Sequence, residues 1–186
     1  MHLYSTSQKN QARYTTVLID MQPRFLRKAS RDLKMGLFLA QRRVLRFCAE
    51  ERIPTVVLEY VGYGDGETVP CLQQKVDLIH PHLTLEKTRD DGFVRTSLDQ
   101  QLKEWETTDL VVMGVNASYC VKDTCESAIR KGYRIHTARD FISNTCRCCP
   151  TKYDWYEKHS TLYQDSSELI EGTSCSLVSA GLVGRL

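Results

Sequence analysis

The chain predicts an α/β fold in which a mostly parallel sheet carries helices on both faces, and three features of its sequence carry that expectation. Short apolar, β-branched runs recur at residues 15–19, 55–60 and 110–115, each bounded abruptly as a buried strand is. Between them apolar residues fall at helical spacing, as with Leu37/Val44 and Phe38/Leu45, or Leu98, Leu102 and Trp105. Strands that alternate with helices need crossover connections, which are right-handed and place helices over the sheet.

Taken in order, residues 1–13 are polar and read as a loose arm. The strand at 15–19 stops at Asp20-Met21-Gln22-Pro23, because proline cannot donate to a ladder. Arg24, Arg27, Lys28, Arg31 and Lys34 then form a basic stretch relieved only by Asp32. It reads either as a solvated face or as a means of concentrating an anionic substrate. A helix over 33–51 ends before Pro54, and a second strand follows at 55–60. The segment VGYGDGETVPCLQQ is a long connection able to cover a pocket.

A short strand is expected at 83–86, after His80-Pro81-His82, where turn chemistry outweighs metal ligation by two isolated histidines. Lys87 follows it directly. A helix over 96–105 has Thr96 as its cap. The run at 110–115 leads through Asn116 to Cys120 into a helix over 119–131 that Gly132 ends. A fifth strand at 134–137 stops near Asp140, and the tail reads as a helix at 153–163, a strand at 169–174 and a last helix at 177–183.

The 186 residues suffice for one core and are too few for two, so a single domain over 1–186 is expected. A composition of 41% hydrophobic and 26% charged residues argues for a soluble globular protein and against disorder. The net charge of +2 offers no global attraction to nucleic acid. No apolar run reaches membrane length and the first residues lack the apolar core of a leader, so the expected location is cytoplasmic, with no membrane partner. Eight scattered cysteines read as reduced thiols rather than a disulfide framework. Cys146, Cys148 and Cys149 form the one cluster with a metal or redox alternative, and no second ligand pair accompanies it.

In parallel sheets ligands bind beyond the carboxyl ends of the strands, and Asp20, Lys87 and Cys120 all follow such ends. With Ser118 as cap, Cys120 falls in a first helical turn, where unpaired N–H groups and the helix dipole favour a thiolate and lower its pKa. Each residue alone also has a plainer reading: a small buried hydrophobe, a turn aspartate, a surface lysine. Their convergence by topology is what favours chemistry.

These residues resemble the isochorismatase-like hydrolase superfamily, cysteine hydrolases that include nicotinamidases and N-carbamoylsarcosine amidases. VLIDMQPRF resembles the family's opening strand and D-x-Q motif through Asp20, Gln22 and Phe25. Lys87, followed by Phe93 and TSLDQQL, resembles the lysine segment. GVNASYCVKDT resembles the nucleophile turn, with Gly114 six residues before Cys120, and GYRIHTARD with His159 fits the C-terminal pattern. The resemblance implies a six-stranded, Rossmann-like three-layer fold and a triad of Asp20, Lys87 and Cys120. It also implies a cis peptide between Val115 and Asn116, an oxyanion site at the backbone N–H groups of Asn116 and Cys120, and a homo-oligomer.

Two departures stand out. Residues 61–75 hold no histidine, which argues against a metal-dependent nicotinamidase, and Asn116 replaces the small residue common there. The expected activity is therefore cofactor-free and metal-free hydrolysis of a small amide, ureide or carbamoyl compound through an acyl group on Cys120. Gln22, Phe25, Tyr60 and Tyr119 are the expected substrate-binding residues. The alternatives are vinyl-ether hydrolysis with Asp20 as acid, disfavoured because Cys120 is present, and a catalytically silent binding member.

Overall fold

In the computed structural model, which describes residues 12–62, 66–146 and 149–179, seven strands form one parallel sheet. They are β1 (Tyr14–Ile19), β2 (Thr55–Tyr60), β3 (His82–Lys87), β4 (Asp109–Val115), β5 (Arg134–Ala138), β6 (Ile142–Ser143) and β7 (Thr161–Tyr163). Six lie on one path in the order β3-β2-β1-β4-β5-β7, and the two-residue β6 pairs with β4 beside that path. The helices are α1 (Pro23–Leu26), α2 (Arg31–Glu50), α3 (Pro70–Val76), α4 (Leu98–Glu104), α5 (Lys122–Arg130), α6 (Asp154–His159) and α7 (Ser166–Ser179), and they cover both faces.

The central strands β1 and β4 are buried at every position, which is why their sequences are near-continuous apolar runs rather than alternating ones. Among the helices, α2 shows the local logic most fully. Ser30 caps it by accepting from the Leu33 N–H at 3.1 Å, Asp32 sits in its first turn, and Leu37, Val44, Leu45 and Cys48 bury one face. The chain runs from β1 out through β2 to β3, then returns to lay β4 on the other side of β1. The reversal point between β1 and β4 is where a doubly wound sheet opens its crevice.

Gly114 is required at that point. It pairs with Ile19 at positive φ (140°), and a Cβ there would collide with the Ile19 carbonyl oxygen.

Several expectations shift. β3 is longer than expected, so Lys87 is the last residue of the strand rather than the first beyond it. The connection after β2 contains α3, whose Pro70 occupies a first-turn position that needs no N–H, while residues 63–65 lie outside the described residues. The helix expected from Thr96 starts at Leu98, and the Thr96 hydroxyl accepts from the Leu98 N–H at 3.2 Å. The 153–163 helix divides into α6 and β7.

No strand forms at 169–174, because α7 runs through it. The deciding contacts are local: Asp165 accepts from the N–H groups of Ser167 (2.8 Å) and Glu168 (3.0 Å), while Glu168 reaches back to the Gln164 N–H (2.6 Å). The end of the expected last helix, most of the N-terminal arm and Cys148 lie outside the described residues. Cys146 is disulfide-bonded, a departure from eight reduced thiols, whereas Cys48, Cys71, Cys120 and Cys125 are free thiols. Among the described residues no helix is long and apolar enough to cross a membrane.

Candidate active site

β1 ends at Ile19, and Asp20 then adopts a left-handed backbone (φ 52°), a conformation that aspartate tolerates better than most residues. Its N–H is anchored on the Leu58 carbonyl at 3.0 Å. From the end of β3, two strands away, Lys87 reaches back so that its Nζ lies 2.8 Å from Asp20 Oδ2, with both side chains fully buried. The ammonium also donates to the carbonyl oxygens of Arg89 (3.1 Å) and Asp90 (3.4 Å) and lies 4.9 Å from the centre of the Tyr60 ring. Beyond the end of β4, Cys120 completes the group. Its thiol donates to Asp90 Oδ1 at 3.4 Å and lies close enough to Asp20 for that carboxylate to act on its proton affinity. Topology therefore gathers Asp20, Lys87 and Cys120 at one rim of the sheet.

Cys120 does lie in a first helical turn, although Ser118 does not cap it. Residues Ala117–Val121 form a wide π-helical turn in which the Asn116 carbonyl accepts from the N–H groups of Tyr119 (3.1 Å) and Val121 (3.2 Å). Asn144 holds Ser118 at both ends, accepting from its N–H at 2.9 Å and donating to its Oγ at 2.7 Å. The Asn116 side-chain oxygen accepts from the Thr145 N–H (3.0 Å) and hydroxyl (2.8 Å), and the Tyr156 hydroxyl donates to the Ala117 carbonyl. The Val115–Asn116 peptide is cis, where the resemblance implied it.

The expectation of a lowered thiol pKa is overturned. Burial pushes the Cys120 thiol far above its ordinary value, the Asp20 and Asp90 carboxylates add to that, and Lys87 opposes it only in part. The partial charge of a helix start is too small to compete with desolvation and two nearby anions. Asp20 is also raised, by burial first, with the Lys87 ammonium and then the nearby Cys120 thiol pulling the other way. The resting pair is thus a neutral thiol beside a carboxylate whose basicity exceeds that of an ordinary aspartate.

Of the four expected substrate contacts, Phe25 and Tyr119 wall the cavity described below, while Gln22 and Tyr60 are engaged by other groups of the protein. Gln22 is buried and fully committed: its amide donates to the Tyr60 (3.1 Å) and Gly66 (2.5 Å) carbonyls and accepts from the Tyr60 N–H (2.8 Å). It braces the loop after β2 against the end of β1. Tyr60 packs edge-on against Phe25 (centroids 6.0 Å apart) and donates its hydroxyl to the Thr88 carbonyl at 3.0 Å. Phe25 and Tyr119 do wall a cavity of about 370 Å³, together with Arg24, Arg27, Lys28 and Asn116. Asn144, Thr145, Cys146 and Cys149 close its other side. Cys120 is 4% exposed and does not itself line this cavity, whereas its chain neighbour Tyr119 does.

Sequence reasoning missed Asp90 and Asn144. A signal for Asp90 was present in the pair Asp90-Asp91 ahead of Gly92, three residues beyond Lys87. Gly92 seats this loop on α5: its N–H donates to Thr124 Oγ1 at 2.9 Å, and a Cβ would strike Leu58. Among the described residues no group of three or more His, Cys, Asp or Glu side chains gathers as a metal site. His82 Nδ1 lies 2.6 Å from the Ile79 carbonyl oxygen, beside the cis His80–Pro81 bond.

A profile of the isochorismatase domain matches residues 14–147. The nicotinamidase of Escherichia coli (strain K12) is 41% identical over 46 residues, a match that spans 25% of this chain and only 22% of that relative. N-carbamoylsarcosine amidase from Thermoplasma acidophilum superposes with a TM-score of 0.67 at 24% identity, over 84% of this chain and 98% of that one. MAR1 ribonuclease from Caenorhabditis elegans superposes with a TM-score of 0.73 at 19% identity, over 95% and 97%. At such identities the likeness is one of fold, and one fold hosts unrelated chemistries.

Proposed function

The chain belongs to the isochorismatase family, and from that premise we propose that it is a cysteine hydrolase cleaving the C–N bond of a small amide, ureide or carbamoyl compound. The observation that carries this reading is the buried thiol of Cys120 beside a buried Asp20 carboxylate that is itself paired with Lys87 at 2.8 Å. Asp20 takes the thiol proton as sulfur adds to the substrate carbonyl. Lys87 keeps Asp20 ionised beforehand and balances the charge that develops. Backbone N–H groups of Asn116 and Cys120 hold the oxyanion, a contribution whose loss costs roughly 100- to 1000-fold where it has been removed in other hydrolases. As the C–N bond breaks, the proton on Asp20 passes to the leaving amine. Water, deprotonated by Asp20, then adds to the acyl carbon; the C–S bond breaks and the proton returns to sulfur.

No metal or cofactor enters these steps. The reaction takes a small-molecule substrate and involves neither nucleic acid nor membrane, and we place the protein in the cytoplasm as a homo-oligomer. The raised pKa of Asp20 also suits an acid, which keeps vinyl-ether hydrolysis as a second reading in which sulfur is dispensable.

One substitution separates them. In a screen for ammonia release across amides, ureides and carbamoyl compounds, Cys120→Ala is expected to abolish turnover while leaving the melting temperature within a few degrees. Full activity in that variant would overturn covalent catalysis and leave Asp20 acting as an acid.

A further inference from the structure

We propose that the cavity walled by Tyr119, the chain neighbour of Cys120, selects small amides that carry an anionic group, held on the α1 wall while the amide end meets the thiol; this rests on the hydrolase reading above. Arg24, Arg27 and Lys28 all line the cavity, and among the described residues no carboxylate does. Their spacing of three and four residues puts them on one side of the α1 turn and its C-terminal extension. Among the described residues neither Arg27 nor Lys28 has an ion-pair partner. The neutral polar groups of the wall are occupied, since Asn116 is held by Thr145 and Asn144 by Ser118.

Around the sulfur the balance is negative, since Asp20 is matched by Lys87 while Asp90 stands 3.4 Å from the thiol with no ion-pair partner among the described residues. Potential therefore runs from positive at α1 to negative at the thiol. A substrate with an anion at one end and an amide at the other is oriented by that gradient: the anion is drawn to Arg27 and Lys28 and repelled from the sulfur. The departing amine, which gains a proton, is set among carboxylates. The cavity of about 370 Å³ suits such a molecule, being near the small end of ligand sites.

The test titrates the Cys120→Ala protein, which cannot consume its ligand, with succinamate and with succinamide, its uncharged counterpart, at low salt. Succinamate is expected to bind at least roughly ten-fold tighter, with the preference fading as salt is raised. In the Arg27→Glu/Lys28→Glu variant the preference disappears or reverses. The salt titration reads the same interaction in the protein without charge reversal, should that variant fold poorly. Inorganic phosphate is included as competitor. Displacement of succinamate by phosphate upholds the subsite and widens its anion from carboxylate to phosphoryl; failure to displace it upholds a carboxylate-specific one.

Equal affinities, tighter binding of succinamide, no binding of either, or a preference indifferent to both salt and Arg27→Glu/Lys28→Glu overturns the inference. Ammonia release from neutral amides with no anion preference defeats this inference alone. An anion preference in a protein that releases no ammonia defeats hydrolysis alone.

Discussion

Asp20 and Asp109 stand at opposite ends of neighbouring strands, one just past the carboxyl end of β1 and the other opening β4, and both are shut from solvent at 0% and 1% exposure. Their proton affinities diverge. Burial alone would raise Asp109, but His136 (2.8 Å), the two-pronged Arg134 (2.8 and 2.6 Å) and the Thr108 hydroxyl (2.6 Å) outweigh it and hold the carboxyl at about 2. Asp20 lies deeper among packed atoms and has one cation, so burial prevails and its pKa rises. A carboxylate saturated with donors becomes a rivet, whereas one given a single partner keeps its appetite for a proton.

The sharpest way to break that contrast is Asp20→Asn. Hydrolysis is expected to fall by roughly 1000-fold, within the usual reach of a general acid–base group. Alkylation of Cys120 by iodoacetamide should instead quicken, because the Asp20 charge that opposes the thiolate has gone. If both rates drop together, the carboxylate serves the sulfur only as a base and never the leaving amine. In the parent protein the acid limb of the rate profile should have its midpoint above the ordinary aspartate value of 3.8. The same upward shift means that Asp20 favours the folded state only at low pH, a benefit lost as pH rises through its folded value. It costs stability at the pH where it works.

Asp109→Asn should do the reverse, leaving hydrolysis within about three-fold while lowering unfolding free energy by about 2 kcal/mol, read by urea denaturation. Because Asp109 is depressed when folded, its contribution is complete above 3.8 and vanishes as pH falls toward about 2. The variant should flatten the stability profile in that window, and an unchanged slope would deny Asp109 its part. The smallest effect is expected at Asp90, which is exposed and 3.4 Å from the sulfur. Asp90→Asn should speed Cys120 alkylation by about two- to three-fold, since a solvated charge acts weakly. A rate that does not move makes Asp90 a bystander.

The candidate site was legible in the sequence to the extent that topology alone creates it. A buried strand announces itself as an apolar run, and the residue after the run is delivered to the sheet's rim wherever its neighbours come from. That logic reached Asp20 and Cys120 without any knowledge of contacts. It could not reach the state of the thiol, because the carboxylate of Asp90 arrives from thirty positions away through a loop that Gly92 seats on α5. Gln22 has the appearance of a ligand-binding residue in a motif, yet its amide is spent on backbone groups at Tyr60 and Gly66 that only the folded loop supplies. At 169–174 the apolar content misleads, since the helix there is decided by Asp165 and Glu168 just upstream.

The bare rung at Gly114 has one more consequence. With no side chain to hold them apart, the rails leading to the acid and to the sulfur lie against each other at Ile19, so main chain sets how close together those two side chains begin. Such a chassis lets the vestibule at α1 change its occupants while the machinery beneath it stays in register; a methyl group at that rung would jack the two rails apart and spoil the reaction for every occupant alike.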